Sequence, residues 1–117
     1  MEGTILMAVT VLTLIDSKQA EDEQTTQYTA PEATVTIIDK FTVHNTSANN
    51  INFSINLVGD GDLVGASNLM FSRTIAPDET YPCPEIVGQA LEENDFISTI
   101  AGAVSSLTIR ASGREIS

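Results

Sequence analysis

The feature that most constrains the fold is a strict alternation of apolar and polar residues between positions 51 and 57. The apolar members are Ile51, Phe53, Ile55 and Leu57, and the polar members between them are Asn52, Ser54 and Asn56. Successive side chains of an extended strand point to opposite faces. This pattern therefore predicts a β-strand with one buried face and one polar face.

A second apolar run precedes it, with Val35, Ile37, Phe41 and Val43 on one parity. The pair at positions 38 and 39 (Ile-Asp) interrupts that parity, which predicts a β-bulge or a strand whose second face is also partly covered. The tract between the two runs, NTSANN (45–50), has the composition of a turn. We therefore predict that residues 33–58 form a β-hairpin.

Short apolar runs separated by Gly, Pro and Asn continue along the rest of the chain. They predict a loop at 59–68, strands beginning near residues 69, 96 and 107, and one helical turn within 86–93. Seven or eight short strands with almost no helix are typical of an antiparallel β-sandwich, of which the jelly roll is a close variant. A small barrel is an alternative. The 117 residues suffice for one such domain, spanning 1–117.

The N-terminal part, 1–27, is predicted to be a strand at 5–15 followed by an acidic, solvated loop. That strand is apolar on both parities, so both of its faces should be covered. Either it is a central strand beneath a loop, or it is buried against another subunit or a shell. The second interpretation makes Met7, Val9 and Val11 candidate contact residues.

The charge balance narrows the possible partners. Sixteen acidic residues against five basic ones give a net charge of −11. Such a chain repels phosphate groups, so we expect no nucleic-acid partner and no membrane partner. The apolar run near the N-terminus follows Glu2 rather than Lys or Arg. It is therefore not typical of an export signal, and we expect synthesis inside the cell.

No catalytic or metal-binding motif stands out. Cys83 and His44 are the only residues of their types. We predict a buried, inert thiol for the cysteine and an exposed surface position for the histidine. Asp60 and Asp62 begin like a calcium loop, but the twelfth position is Phe71 instead of Glu. We therefore expect no enzyme activity, no metal and no cofactor.

The polar loops supply the remaining candidate contact residues. Asn45, Asn49 and Asn50 belong to the NTSANN tract, where amide side chains can meet a partner. Asp60 and Asp62 belong to the 59–68 loop. Both loops are too polar to be core, so we predict that they lie on the surface.

Five short phrases carry a family resemblance: YTAP (28–31), VHNTS (43–47), IAPDET (75–80), IVGQALEENDFIS (86–98) and IRASGRE (109–115). In this order and spacing they resemble small β-sandwich structural proteins of tailed bacteriophages, in particular the head decoration or cement proteins. The resemblance runs from about residue 28 to the C-terminus. The first strand and the acidic loop lie outside it.

The resemblance implies a virion protein on the capsid exterior, made in the host cytoplasm. Such proteins commonly form homotrimers that bind the major capsid protein and stabilise contacts between its subunits. A tail, neck or fibre-attachment component is an alternative in the same broad class. A carbohydrate-binding module is an alternative from another class, although two Tyr, four Phe and no Trp leave few rings for a sugar. A hydrolase comes last.

Overall fold

The computed structural model describes residues 8–117, which form nine β-strands and one short 3₁₀ turn. In chain order they are β1 (Val9–Gln19), β2 (Thr25–Thr29), β3 (Val35–Asn45), β4 (Ile51–Val58), the 3₁₀ turn (Ala66–Asn68), β5 (Leu69–Ile75), β6 (Thr80–Tyr81), β7 (Ala90–Leu91), β8 (Phe96–Ala101) and β9 (Leu107–Ile116). The described residues contain no helix long and apolar enough to cross a membrane.

The strands form two antiparallel sheets that pack face to face. Sheet A has the order β1-β9-β3-β6, with β7 also pairing with β3, and sheet B has the order β2-β8-β4-β5. The chain changes sheet at most connections; only the β4–β5 and β6–β7 links stay within one sheet. This interleaving is the jelly-roll arrangement. The predicted antiparallel, jelly-roll-like sandwich is confirmed, with nine strands in the described residues instead of the predicted seven or eight.

The predicted hairpin at 33–58 is wrong, because its two strands lie in opposite sheets. β3 pairs with β9, β6 and β7, whereas β4 pairs with β5 and β8. Their apolar faces oppose each other across the core, where the Phe41 and Phe53 ring centroids are 6.1 Å apart. The tract 45–50 is therefore a corner between sheets instead of a hairpin turn.

The β-bulge predicted in β3 is confirmed. The register with β9 shifts between Ile38 and Lys40, and the shift exchanges the two faces of the strand. Before the bulge, Thr36 and Ile38 are buried while Val35 and Ile37 are only half-buried. Val35 and Ile37 therefore do not share the core face with the residues after the bulge, as their common parity predicted.

The core lies between the sheets and is built around a chain of aromatic rings. Phe53 lies 6.2 Å from Phe71, and Phe71 stacks on Tyr81 at 5.6 Å, both between ring centroids. Branched aliphatic side chains surround the rings. Those fully buried are Ile38, Ile55, Ile75, Ile86, Leu91, Ile97, Leu107, Ile109, Val43 and Val58.

Two local predictions are corrected. The acidic loop predicted for 16–27 is shorter, because β1 continues to Gln19 and β2 begins at Thr25. The turn predicted within 86–93 does not become a helix. Residues 84–88 form hydrogen-bonded turns, and residues 90–91 then pair with β3 as β7. The Gly88 N–H donates to the Ile38 carbonyl at 2.7 Å, and Val87 is exposed.

Candidate functional site

Strand β1 lies at the edge of sheet A and carries two exposed valines. Val9 is 57% exposed and Val11 is 77% exposed, and within residues 8–117 the strand pairs only with β9. The interpretation of this segment as a central strand beneath a loop is therefore wrong for the described part, residues 9–19. Burial against another subunit stays a prediction. Met7, the third residue proposed there, lies outside the described residues.

The two valines belong to a larger apolar surface on the outer face of sheet A. Val9 is paired with Ile116, which is also paired with Val35. In the next row, Arg114 lies between Val11 and Ile37. Residues paired in antiparallel strands share a face. We call the five apolar members the outer strip: Val9, Val11, Val35, Ile37 and Ile116.

A shallow groove of about 350 Å³ continues this face beyond the outer strip. Its walls are the outward side chains of β3 and β9, brought together by the pairing of Thr42 with Arg110. We call it the cationic groove; its lining side chains are Lys40, Thr42, His44, Thr108, Arg110 and Ser112. Successive rows of a strand face are about 7 Å apart, so the groove directly adjoins the outer strip.

Two cations in this groove have no carboxylate partner within residues 8–117. The other basic side chains do: the ion pairs are Lys18–Glu21 at 2.8 Å, Arg73–Glu79 at 3.4 Å and Arg114–Asp39 at 2.9 Å. Arg110 donates only to hydroxyl oxygens, at 3.1 Å to Ser17 and 3.3 Å to Thr13. Lys40 and Arg110 thus form a local positive surface on a strongly acidic molecule.

His44 closes one end of the groove and is half-buried, not fully exposed as predicted. Its Nδ1 lies 2.7 Å from the Thr80 Oγ1, and its Nε2 lies 3.5 Å from an Asp78 carboxylate oxygen. These two contacts fix the plane of the imidazole ring. Among the described residues, no three His, Cys, Asp or Glu side chains converge as a metal site.

Asn45, predicted as a contact residue, is fully buried and is corrected to a structural role. Its amide nitrogen donates to the carbonyls of Asn49 (2.7 Å) and Ile75 (2.9 Å). Its amide oxygen accepts from the Ser47 N–H and hydroxyl, both at 2.8 Å. The side chain therefore holds the corner between the sheets together. Asn49 and Asn50 are exposed.

The other predicted loop lies at the opposite end of the sandwich and is both acidic and apolar. Asp60 and Asp62 are exposed, and Leu63 is 88% exposed. Val64, Leu69 and Met70 are exposed as well. We call residues 59–70 the acidic tip. The predicted contact residues thus occupy three separate places: the β1 edge, the 45–50 corner and the acidic tip.

Cys83 is fully buried, as predicted for an inert thiol. Burial raises the pKa of this thiol to about 12, with a smaller contribution from the Glu85 carboxylate. A thiol with such a pKa holds almost no thiolate at neutral pH, and the thiolate is the reactive form.

Only one part of the outer face is indicated by the sequence pattern. The doubly apolar pattern of β1 identified Val9 and Val11. The shared parity of Val35 and Ile37 with Phe41 predicts a core position for both, which is wrong. The predicted bulge was the available sign that these two side chains face outward. The cationic groove had no local signal, because its two walls are far apart in the chain.

No family model matches this chain, and no curated protein matches it. The chain is similar in structure to a protein from Bacillus endospore appendages, which form a novel family of disulfide-linked pili. That likeness has a TM-score of 0.56 at 8% identity and covers 97% of this chain and 89% of the other. At such low identity, it shows a shared fold.

A weaker likeness is to the VP2 protein of infectious bursal disease virus in a subviral particle. It has a TM-score of 0.38 at 17% identity and covers 94% of this chain but only 32% of VP2. This chain therefore spans about a third of that capsid protein. These structural neighbours are pilus and capsid proteins, and they leave the resemblance to phage decoration proteins untested.

Proposed function

We propose that this chain is a structural subunit that acts by assembly, with the outer face of sheet A as its assembly surface. The observation that carries the proposal is the outer strip, where two strongly exposed valines adjoin three half-buried apolar side chains. An exposed apolar patch of this kind is typical of an interaction site. Fully burying a valine side chain contributes about 1.5 kcal/mol or more. A partner that covers the outer strip therefore gains a favourable contribution to the free energy of association.

The edge position of β1 supports the same proposal. Within the described part of the chain, this 11-residue edge strand has backbone groups without a partner strand on one side, and such groups favour pairing with another chain. Monomeric proteins protect such edges with charges, prolines or short strands. Residues 9–13 contain no charged residue and no proline. A permanent partner on this edge is the simplest protection.

The specific role that we propose is decoration of a bacteriophage capsid, carried by the resemblance from residue 28 onward. In that role the chain forms a homotrimer on the capsid exterior and binds the major capsid protein. The net charge of −11 favours the exterior, since the interior of a filled capsid is rich in phosphate. Jelly rolls are also a recurrent architecture of viral structural proteins.

A second candidate is the subunit of a surface appendage. It is supported by the similarity to a pilus protein over nearly the full length of both chains. Cys83 is the single cysteine and is buried. A filament of this chain would therefore be held by noncovalent contacts, unlike the disulfide-linked pili.

Sedimentation velocity and negative-stain electron microscopy test the proposal together. The purified protein is measured alone, and again after mixing with empty shells of the major capsid protein from its own genome. Trimers that coat the shells support capsid decoration, and filaments formed without shells support the appendage. A protein that stays monomeric at all concentrations and ignores the shells overturns the proposal.

A further inference from the structure

We infer that the acidic tip of a second copy docks on the cationic groove and the adjoining outer strip, an inference that rests on the proposed self-association. The tip and the groove carry opposite charges, and both adjoin exposed apolar side chains. The interface is therefore heterologous: one surface of a copy meets a different surface of the next.

The acidic tip presents its carboxylates freely. Asp60 and Asp62 flank Gly61, whose φ of +81° allows the tight turn between them. The Asp60 N–H donates to the Asp95 carboxylate at 2.9 Å, and the Asp62 N–H donates to the Gly59 carbonyl at 3.0 Å. Neither aspartate side chain accepts a hydrogen bond within residues 8–117. Both carboxylates are therefore positioned by the turn but remain unpaired.

The whole end of the sandwich around the tip is negative. The loops at 30–34 and 92–95 meet there, because the Ala30 N–H donates to the Asp95 carbonyl at 2.9 Å. Together with the tip they contain six acidic residues and no Lys or Arg: Glu32, Asp60, Asp62, Glu92, Glu93 and Asp95. A copy approaching with this end is attracted to a surface where Lys40 and Arg110 have no carboxylate partner among residues 8–117.

The acidic tip and the surface that it meets both carry exposed apolar side chains. Leu63 immediately follows Asp62 in the tip, and Val64, Leu69 and Met70 are exposed beside it. On the other partner, the outer strip lies one row from the groove. When the tip carboxylates pair with the cations of the groove, Leu63 therefore comes within reach of Val9 and Val11. Burial of these apolar groups supplies affinity, while the charges set orientation.

The acidic loop at the opposite end fits less well. Residues 21–23 are all acidic, but Glu21 already pairs with Lys18 at 2.8 Å. That loop also contains no large apolar side chain. Of the acidic loops in the described part of the chain, the tip combines unpaired carboxylates with exposed apolar groups.

A heterologous contact of this kind has two possible outcomes. If repeating the rotation from one copy to the next brings the last copy back to the first, the contact generates a ring such as a trimer. If it does not, the contact generates a helical filament. The same interface therefore serves either form of the proposed function.

Paired charge reversals test the docking. In the face variant Lys40→Glu is combined with Arg110→Glu, and in the tip variant Asp60→Lys is combined with Asp62→Lys. Each variant alone brings like charges together, and we expect self-association at least tenfold weaker than that of the wild type. Mixed in equal amounts, the variants restore the contact between unlike copies, so we expect the mixture to associate more strongly than either variant alone. A filament can then alternate the two variants throughout, whereas a trimer keeps one mismatched contact. Salt titration is a poorer test, because two copies with net charge −11 also repel each other.

The matched control combines Asp22→Lys with Glu23→Lys, which changes the net charge as the tip variant does but at the other end of the molecule. It should associate like the wild type. Circular dichroism and thermal unfolding check that every variant is folded.

Either variant assembling like the wild type would overturn the docking, as would a mixture that associates no more strongly than either variant alone or a control that is equally weakened. In each of those cases the proposed function survives, since the wild type still assembles. A wild type that never associates would overturn both.

Discussion

The Tyr28 hydroxyl donates a 2.6 Å hydrogen bond to the Glu115 carboxylate, and this bond joins sheet B to sheet A. The Thr36 hydroxyl lies 2.7 Å from the same phenolic oxygen. Burial raises the pKa of Tyr28 to about 12, and the bond to Glu115 adds to the rise. The two sheets are thus linked by a polar contact that depends on a protonated tyrosine.

This linkage predicts a loss of stability at alkaline pH. The unfolded chain titrates Tyr28 near pH 10, and the folded protein titrates it at about 12. Because the folded pKa is the higher one, the contribution is complete below pH 10 and is lost as the pH rises through 12. Urea unfolding at pH 7 to 12 should show a smaller alkaline loss for Tyr28→Phe than for the wild type. At pH 7 this variant should be less stable by about 1–2 kcal/mol.

Tyr81→Phe is the control for that experiment. Its hydroxyl bonds the Glu85 carboxylate at 2.9 Å on the protein surface, and the substitution keeps the ring stacked on Phe71. Exposed bonds contribute little, so its free energy of unfolding at pH 7 should stay close to that of the wild type. Equal losses in the two variants at pH 7 would contradict a special role for Tyr28.

Gly113 is required by the close approach of β3 and β9. A Cβ atom at this position would lie 2.1 Å from the Ile37 carbonyl oxygen and 2.9 Å from the Leu14 Cδ1. Gly113→Ala therefore forces the β3 backbone to move, and we expect a loss of about 3 kcal/mol in the free energy of unfolding. In the control Gly102→Ala, the nearest atom is the Asn52 backbone nitrogen at 3.4 Å. Similar unfolding midpoints for both variants would contradict this packing.

Asn45 and Asn50 both lie in the 45–50 corner, but their substitution should change the free energy of unfolding by different amounts. Asn45→Ala leaves the carbonyls of Asn49 and Ile75 without their buried donor. We expect a loss of about 2–3 kcal/mol in the free energy of unfolding. Asn50→Ala, on an exposed residue, should change it by less than about 0.5 kcal/mol. Chemical denaturation measures both; the reverse order would contradict the structural role of Asn45.

Most of the longer strands could be predicted from the sequence because the signal for a strand is local. The short strands β2 and β7 were not predicted, because they lie in segments without a clear apolar alternation. Alternation identified β4 and β9, and the broken parity of β3 identified its bulge. Strand pairing is not local, so the hairpin prediction failed: β3 pairs with β9, some 70 residues further along the chain. Polarity also gave no hint that Asn45 is buried, since a buried amide is stable only when several partners are supplied by other segments.

The candidate site could be predicted only where one strand revealed it. Val9 and Val11 stood out because β1 is apolar on both parities. Lys40 and Arg110 have no relation in sequence, and only the register of β3 with β9 places them beside one groove. That neither cation pairs with a carboxylate of residues 8–117 is likewise a property of the folded molecule.

The single thiol should react only when the protein unfolds. Cys83 is buried and its pKa is raised to about 12. A thiol reagent such as dithionitrobenzoate should therefore modify the native protein at the rate of opening and the urea-unfolded protein at once. Assemblies should also withstand reducing agents, because no disulfide holds them. Rapid labelling of the native protein, or assemblies that dissolve in dithiothreitol, would contradict this account.

The most direct test of the central claim compares two identical substitutions on exposed valines. Val11 lies on the outer strip and is 77% exposed, whereas Val104, at the opposite end of the sandwich, is 61% exposed. Neither side chain belongs to the core, so Val11→Glu and Val104→Glu should both fold. Loss of one buried valine costs about 1.5 kcal/mol or more, which corresponds to at least about a tenfold weaker association.

Analytical ultracentrifugation over a range of concentrations measures this difference. We predict that Val104→Glu assembles like the wild type and that Val11→Glu sediments as a monomer at concentrations where the wild type is associated. Equal assembly of the two variants would contradict the assignment of the outer face of sheet A as the assembly surface.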